Sequence, residues 1–268
     1  MMIKGLDGAE AKPYLDGKIF ISTRPVGKSD ELESYFTSHG AQLFLMPMIE
    51  ICPMEISHEE QNRLRELDKF DWVVFTSTNG ISCFFNLLMH INGSFAFNGD
   101  VKIAVLSKKM ASELTAYGHK AELVNSGSTA DDLVNDLQLV FGNSSPRVLL
   151  PFGNLAREVI ESRLSEIANV HRINVYSTEM PKFIDNELVN RVITNLYDLI
   201  IFTSPSTFNN FCSVIKNKVE LKNLRVASIG STTTEAVEIM GVSPLVTAKT
   251  MNSKGIIEGI EGYYRDRF

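Results

Sequence analysis

The chain has 268 residues, of which 44% are hydrophobic and 22% are charged, and its formal net charge is −6. This composition is typical of a globular protein with one or two domains, and the acidic balance argues against a nucleic-acid-binding surface, which needs clustered Lys and Arg. No stretch approaches the roughly 18 unbroken apolar residues of a membrane span, and the first residues lack the apolar core of a signal peptide, so we expect neither a membrane anchor nor export.

Short apolar runs alternate with segments of helical periodicity along the chain, a pattern that predicts parallel sheets covered by helices. The predicted strands lie near residues 18–22, 43–47, 72–76, 102–106, 121–124, 147–151, 171–176, 198–203, 225–229 and 244–248. Ser57 and Glu60 have the spacing of a capping box that begins a helix. Gly40, Gly118 and Gly241 stand where helices would end in the left-handed conformation. The predicted fold class is therefore α/β.

Two strand–turn–helix units occur twice in the same order. "VFTSTNG" at 74–80 returns as "IFTSPST" at 201–207, and residues 102–124 parallel residues 225–247 in giving strand, polar turn, helix, Gly and strand. In both cases the second copy follows the first after nearly the same number of residues. The sequence therefore predicts two similar parallel-sheet α/β domains.

The boundary between these domains has two interpretations. A contiguous division would fall near residue 150, but the segments at 47–53 and 173–181 are both extended and bordered by proline. They favour a discontinuous arrangement in which the two extended segments form a two-stranded linker. The first domain then comprises residues 1–50 plus 178–268, and the second is inserted as residues 51–177.

Hydroxyl side chains follow several predicted strands at the point where a helix begins. Thr76 and Ser77, Thr203 and Ser204, and the run from Ser231 to Thr233 occupy such junctions. Unpaired N–H groups and the helix dipole attract anions there, and ligands of open α/β sheets bind at this edge. Ser and Thr are also the preferred helix caps whether or not anything binds. The repetition of the pattern in both halves favours a ligand with several carboxylates or phosphates.

The residues that usually carry cofactor or metal chemistry are absent or scattered. Cys52, Cys83 and Cys212 are odd in number and far apart, so they predict neither a disulfide framework nor a metal-ligand cluster, and a reducing cytoplasm fits them best. No dinucleotide-binding motif, P-loop, serine-hydrolase elbow or HExxH helix is present. We therefore expect a cytoplasmic protein with no cofactor and no metal.

Several motifs together resemble one family. The succession "STRP" (22–25), "VVFTSTNGI" (73–81), "INVYST" (173–178), "IIFTSPSTFNNF" (200–211) and "ASIGSTTTEAVEIMG" (227–241) is similar to the uroporphyrinogen-III synthases, cofactor-free enzymes that close the linear hydroxymethylbilane into uroporphyrinogen III. The resemblance implies two α/β domains on a two-stranded linker, with this tetrapyrrole polycarboxylate in the cleft between them. It also implies that water is lost and the last pyrrole ring is inverted. We expect a monomer.

The resemblance implies roles for particular side chains. Tyr176 of "INVYST" would donate a proton or hydrogen bond to the departing hydroxyl, although a tyrosine that fills the domain junction with its hydroxyl tied to backbone is the alternative. Arg157 also matches the family pattern, but a helical arginine is more often a solvated or structural charge. The implied substrate-binding residues are Thr23, Arg24, Ser77, Ser204, Arg225, Thr232 and Thr233.

One turn departs from the family pattern. Residues 105–112, "VLSKKMAS", have Ser107 where the family usually has glycine and Met110 where it has threonine. Because a methionine cannot donate to a carboxylate, either Lys108 or Lys109 replaces that contact or the substrate depends more on the other domain. The altered turn leaves an alternative function open, a non-catalytic two-lobed anion-binding or regulatory module on the same fold.

Overall fold

The structure is a computed structural model that describes residues 12–97, 99–127, 129–156 and 158–268. All the predicted strands are present, and a further short strand, β3, forms within the extended segment at 47–53. The strands are Ile19–Ser22 (β1), Gln42–Leu45 (β2), Glu50–Pro53 (β3), Trp72–Phe75 (β4), Lys102–Val105 (β5), Leu123–Val124 (β6), Arg147–Gly153 (β7), Asn169–Glu179 (β8), Leu199–Phe202 (β9), Val226–Ser228 (β10) and Val246–Thr247 (β11).

Helices follow most of the strands, and their ends carry the predicted signals. Ser57 and Glu60 form the capping box, and Gly40, Gly118 and Gly241 have positive φ angles of 83°, 79° and 78°. No helix within the described ranges is long and apolar enough to cross a membrane. The helices are Asp30–Ser38 (α1), His58–Arg65 (α2), Thr78–Asn92 (α3), Lys108–Thr115 (α4), Ala130–Phe141 (α5), Val159–Ser165 (α6), Asn186–Ile193 (α7), Pro205–Ile215 (α8), Ser231–Ile239 (α9) and Ser253–Arg265 (α10).

The chain divides into two compact units. The first unit comprises the described residues up to Glu50 together with Glu179–Phe268, and the second comprises Ile51–Thr178. The first contains a parallel five-stranded sheet in the order β11-β10-β9-β1-β2, and the other sheet has the order β3-β8-β7-β4-β5-β6. The chain thus passes from one unit to the other within β3 and again at the end of β8. That these two neighbouring strands act as a linker stays a prediction.

Each sheet is covered by apolar side chains on both faces, which explains the unbroken hydrophobic runs in the sequence. In β1, Phe20 packs against Phe36 with their ring centroids 4.6 Å apart. The next residue, Ile21, points to the opposite face and joins the cluster that contains Phe202. Successive residues of β4 likewise alternate between two core clusters. The central strands β4 and β9 are therefore fully buried, whereas Ser77 and Ser204, which follow their carboxyl ends, are partly exposed.

A charged cluster joins the segment before β1 to α1 and α10. The carboxylate of Glu261 accepts hydrogen bonds from Lys12 Nζ, from Tyr35 Oη at 2.6 Å and from Tyr14 Oη at 3.4 Å. Burial by itself would raise the pKa of the Glu261 carboxyl, but the hydrogen bonds from Lys12 and Tyr35 outweigh it and hold the pKa below the usual glutamate value. The side chain of Glu261 is only 16% exposed, so water screens the cluster weakly.

Replacing Glu261 with Gln is expected to lower the free energy of unfolding by about 1.5 to 3 kcal/mol near neutral pH, the usual value for hydrogen bonds to a charged group. Because folding lowers the pKa of this carboxyl, its contribution is fully present above the unfolded-state pKa of about 4.3 and is lost as the pH falls through the folded-state value. Urea unfolding should therefore show a difference between parent and variant that shrinks in acid.

Glu258→Gln provides a matched control on the same helix. Glu258 pairs with Lys254 at 3.8 Å, and both side chains are more than half exposed, so the loss should stay within about 0.5 kcal/mol. Equal losses of unfolding free energy in the two variants would contradict the stabilising role assigned to the Glu261 hydrogen bonds. A loss for Glu261→Gln that does not shrink in acid would do the same.

Candidate active site

Ser77 and Tyr176 meet at the carboxyl edge of the sheet in the second unit. Ser77 follows β4 and Tyr176 lies near the end of β8, and their hydroxyl oxygens are 3.1 Å apart. β7 lies between the two strands and ends at Gly153, which pairs with Tyr176 after a register shift. A Cβ on Gly153 would lie 2.5 Å from Cε2 and Cζ of the tyrosine ring. The glycine therefore lets the ring cross β7 and bring its hydroxyl to Ser77.

The hydroxyl of Ser77 has two partners. It caps α3 by accepting from the N–H of Gly80 at 2.9 Å, and its remaining proton can be donated to Tyr176 Oη. In that arrangement the phenol proton of Tyr176 is left to point toward a ligand. Tyr176 and Ser77 are both half-buried, and the tyrosine hydroxyl contacts a side chain. That it acts as an acid stays a prediction.

The altered turn after β5 begins α4. Ser107 Oγ accepts from the N–H of Met110 at 3.4 Å, and the side chain of Met110 is buried in the hydrophobic core of the second unit. Methionine at this position therefore contributes packing. Lys108 and Lys109 are exposed in the first turn of the helix, so they are the cations of this turn that a ligand could reach.

The first unit collects polar residues at the carboxyl edge of its own sheet. Ser204 caps α8 by accepting from the N–H of Thr207 at 3.2 Å. Thr23 is buried and donates its hydroxyl to the carbonyl of Ile201 at 2.8 Å. Arg24 donates to Ser253 Oγ at 2.9 Å, and burial lowers the pKa of its guanidinium. Because β1 and β9 are neighbours, Thr23, Arg24 and Ser204 lie at one edge, with Thr23 facing inward.

The start of α9 lies at the same edge. No side-chain cap satisfies its first N–H groups, and Thr232 is exposed whereas Thr233 is buried. A Cβ on Gly230 would lie 2.8 Å from Cγ of Met251, so the glycine allows the loop after β11 to pack here. The edge thus presents the Thr232 hydroxyl and uncapped helix N–H groups, which suit a carboxylate.

Arg225 lies elsewhere, at the amino end of β10. Its guanidinium donates to the carbonyl oxygens of Tyr197 and Asp198, and its Cζ lies 4.5 Å from the centroid of the Tyr197 ring. The structure therefore does not bring it to the edge that carries Ser204. Arg157 lies outside the described residues. Across the described ranges, no three His, Cys, Asp or Glu side chains form a group that could hold a metal ion.

Gly153 is the feature of this site that the sequence analysis missed. A signal was available, because glycine directly after an apolar strand often marks a close approach of another group to the backbone. Nothing local, however, identified Tyr176 as the group that approaches it.

The comparisons with known proteins agree on one family. The family model described as "Uroporphyrinogen-III synthase HemD" matches residues 30–258. A uroporphyrinogen-III synthase of Synechococcus elongatus is 27% identical over 264 residues, covering 95% of this chain and 98% of that protein. One from Chlorobaculum parvum is 25% identical and covers 84% and 90% of the two chains.

Solved structures show the same fold. The crystal structure of uroporphyrinogen-III synthetase from Helicobacter pylori has a TM-score of 0.59 and 17% identity, with coverage of 90% of this chain and 97% of that one. A mutant uroporphyrinogen III synthase from Thermus thermophilus gives a TM-score of 0.58 and 14% identity, covering 92% and 99%.

Proposed function

The chain belongs to the uroporphyrinogen-III synthase family, and from this we propose that it cyclises hydroxymethylbilane to uroporphyrinogen III. Water leaves from the terminal hydroxymethyl group, the last ring is attacked at its substituted carbon, and the resulting spiro intermediate fragments and recloses with that ring inverted. The reaction makes the protein a hydro-lyase that uses no cofactor. The observation that carries the proposal is the match of the family model to residues 30–258, and the contact between Tyr176 and Ser77 supplies a proton donor.

Tyr176 is the proton donor in this mechanism. Its hydroxyl lies 3.1 Å from Ser77 Oγ, and Ser77 is held by the N–H of Gly80. A phenol in this position donates a hydrogen bond or proton to the departing hydroxyl, which assists the loss of water. The electrons of the pyrrole already activate this leaving group, so the donor need only stabilise the developing hydroxide.

The carboxylate arms of the substrate are bound by distributed donors. Ser77 and Ser204 stand at the N-termini of α3 and α8, and Thr232 stands in the first turn of α9. Each helix N-terminus offers backbone N–H groups and a favourable dipole for a carboxylate. Arg24, partly exposed at the same edge as Ser204, adds a positive charge. Binding therefore depends on many modest contacts, and orientation of the bilane selects the inverted product.

The test is an isomer assay. The purified chain is incubated with hydroxymethylbilane, and the uroporphyrinogen isomers are separated after oxidation. Uroporphyrinogen III as the main product supports the proposal. Formation of only the isomer without ring inversion, at the rate seen in buffer alone, would indicate a non-catalytic member of the fold.

Ser204→Ala is expected to raise KM moderately and to leave measurable turnover. A hydroxyl bonded to a charged group contributes about 1.5 to 3 kcal/mol, while the neighbouring N–H groups of α8 remain. Loss of the cap should also cost about 1 kcal/mol of folding stability. Steady-state kinetics with urea unfolding on the same samples separates the two effects.

Ser57→Ala is the matched control for that variant. Ser57 caps α2 in the same way but follows no strand of the candidate site, so the variant should lose similar stability and no activity. Complete loss of activity in a folded Ser204→Ala protein would argue against distributed binding.

The proposed setting is the cytoplasm, with a monomer as the working unit. No disulfide joins the described cysteines, and burial raises the pKa of the Cys212 thiol to about 11, so this thiol stays protonated and unreactive. These features suit a reducing compartment.

A further inference from the structure

A cavity of about 450 Å³ opens at the amino edge of the sheet in the first unit. Lys18, Asp198 and Arg225 line it, and each directly precedes a strand, namely β1, β9 and β10. Tyr263 and Tyr264 contribute from the last turns of α10. Arg24, Ser204 and Thr232, the residues of this unit proposed to bind the tetrapyrrole, follow the opposite ends of these strands, so this cavity has no part in the proposed reaction.

The side chains that line the cavity carry more positive than negative charge, although the protein is acidic overall. Lys18, Arg225 and Arg267 line it with a single carboxylate side chain, that of Asp198, which pairs with Lys18 at 3.1 Å. Arg225 donates only to backbone carbonyl oxygens, and Arg267 donates to the carbonyl of Tyr263 at 2.9 Å. Within the described ranges, therefore, neither guanidinium has a carboxylate partner, and both retain unused donors for an anion.

Aromatic rings surround these cations. Arg267 Cζ lies 3.8 Å from the centroid of Tyr263 and Lys18 Nζ lies 5.0 Å from that of Tyr264. The rings of Tyr263 and Tyr264 are nearly perpendicular, with centroids 5.1 Å apart. No described residue hydrogen-bonds to the Tyr264 hydroxyl. Burial, followed by the charge of Asp198, raises the pKa of Tyr264, so this hydroxyl remains a donor.

We propose that this cavity binds a small planar aromatic anion. Its ring packs against Tyr263 and Tyr264, and its carboxylate or phosphate is bound by Arg267 and Arg225. The volume lies in the range of about 300 to 1,000 Å³ that is usual for small-molecule sites, and it suits one mono- or bicyclic ring system. Carboxylate and phosphate share the chemistry that this site recognises, so the test includes one of each.

Isothermal titration of the full chain with AMP, 2-naphthoate, adenosine and inorganic phosphate tests the proposal. We expect at least one of the two aromatic anions to bind about tenfold or more tightly than adenosine and phosphate, because ring and charge are both recognised. If only AMP binds, the cavity is a phosphate site, and if only 2-naphthoate binds, it is a carboxylate site. Arg267→Gln should weaken that binding by about tenfold.

Arg265→Gln is the matched control, because Arg265 is exposed, pairs with Asp266 and does not line the cavity. It should bind as the parent does, and both variants should keep the parent's circular-dichroism spectrum, which verifies folding. The proposal is overturned if neither aromatic anion binds with a Kd below about 1 mM, if phosphate alone binds as tightly, or if the two Arg variants weaken binding equally. None of these results depends on whether the cyclase assignment is correct.

Discussion

Gly153→Ala is expected to lower kcat/KM by on the order of 10², as much as removal of the Tyr176 hydroxyl itself. The added methyl would lie 2.5 Å from two ring carbons of Tyr176 and 2.9 Å from its hydroxyl oxygen. The ring must therefore move, and the hydroxyl loses its contact with Ser77. The displaced ring should also cost about 1 to 3 kcal/mol of stability, the usual result of overpacking. Single-turnover kinetics and urea unfolding measure the two losses.

A second substitution separates the two losses. Tyr176→Ala in the Gly153→Ala background removes the clashing ring, so part of the stability should return while activity should not. Gly262→Ala tests whether any added methyl is harmful. Its nearest neighbour would lie 4.0 Å away, and the helix should tolerate it or gain about 0.5 to 1 kcal/mol. A Gly153→Ala protein with the parent's rate would show that catalysis does not need this ring position.

The local features of the fold could be predicted from the sequence because each has a local cause. Apolar runs such as residues 72–76 mark buried strands, and Ser57 with Glu60 marks a helix start through bonds that span three residues. The capping role of Ser77 and Ser204 follows from the same chemistry. The α/β class and the succession of strands and helices along the chain were therefore accessible without any distant contact.

The tertiary features of the site could not be predicted in this way. The approach of Tyr176 to Gly153 depends on a register shift between β7 and β8, which no short stretch of sequence encodes. Thr23 follows β1 as a ligand residue would, but its hydroxyl turns inward to the carbonyl of Ile201. Met110 lies in the first turn of α4, and its side chain packs in the core. These outcomes depend on packing between strands and helices that are far apart in sequence.

The edge of the sheet at which Arg225 lies could have been predicted from its place in the sequence. It is the first residue of the strand predicted at 225–229, and the ligand edge of a parallel sheet is formed by the carboxyl ends of its strands. A residue at the amino end is therefore expected at the opposite edge, which is where the structure has it, beside Tyr197.

Tyr176→Phe is expected to lower turnover by on the order of 10² or less while it leaves the fold and substrate affinity nearly unchanged. General acid assistance commonly contributes about 10² to 10⁴, but the pyrrole electrons already activate the leaving hydroxyl. Phe keeps the ring against Gly153 and removes only the oxygen that contacts Ser77. KM should barely change, because the helix N-termini that bind the carboxylates are untouched.

The products of this variant distinguish an acid from a positioning residue. If orientation of the bilane sets the ring inversion, the slowly formed product of Tyr176→Phe should still be mainly isomer III. Ser77→Ala is the companion variant, since it keeps the phenol but removes its partner, and its loss should be smaller. Unaltered single-turnover rates in Tyr176→Phe would return this tyrosine to a packing role, because product release cannot mask the chemical step in that measurement.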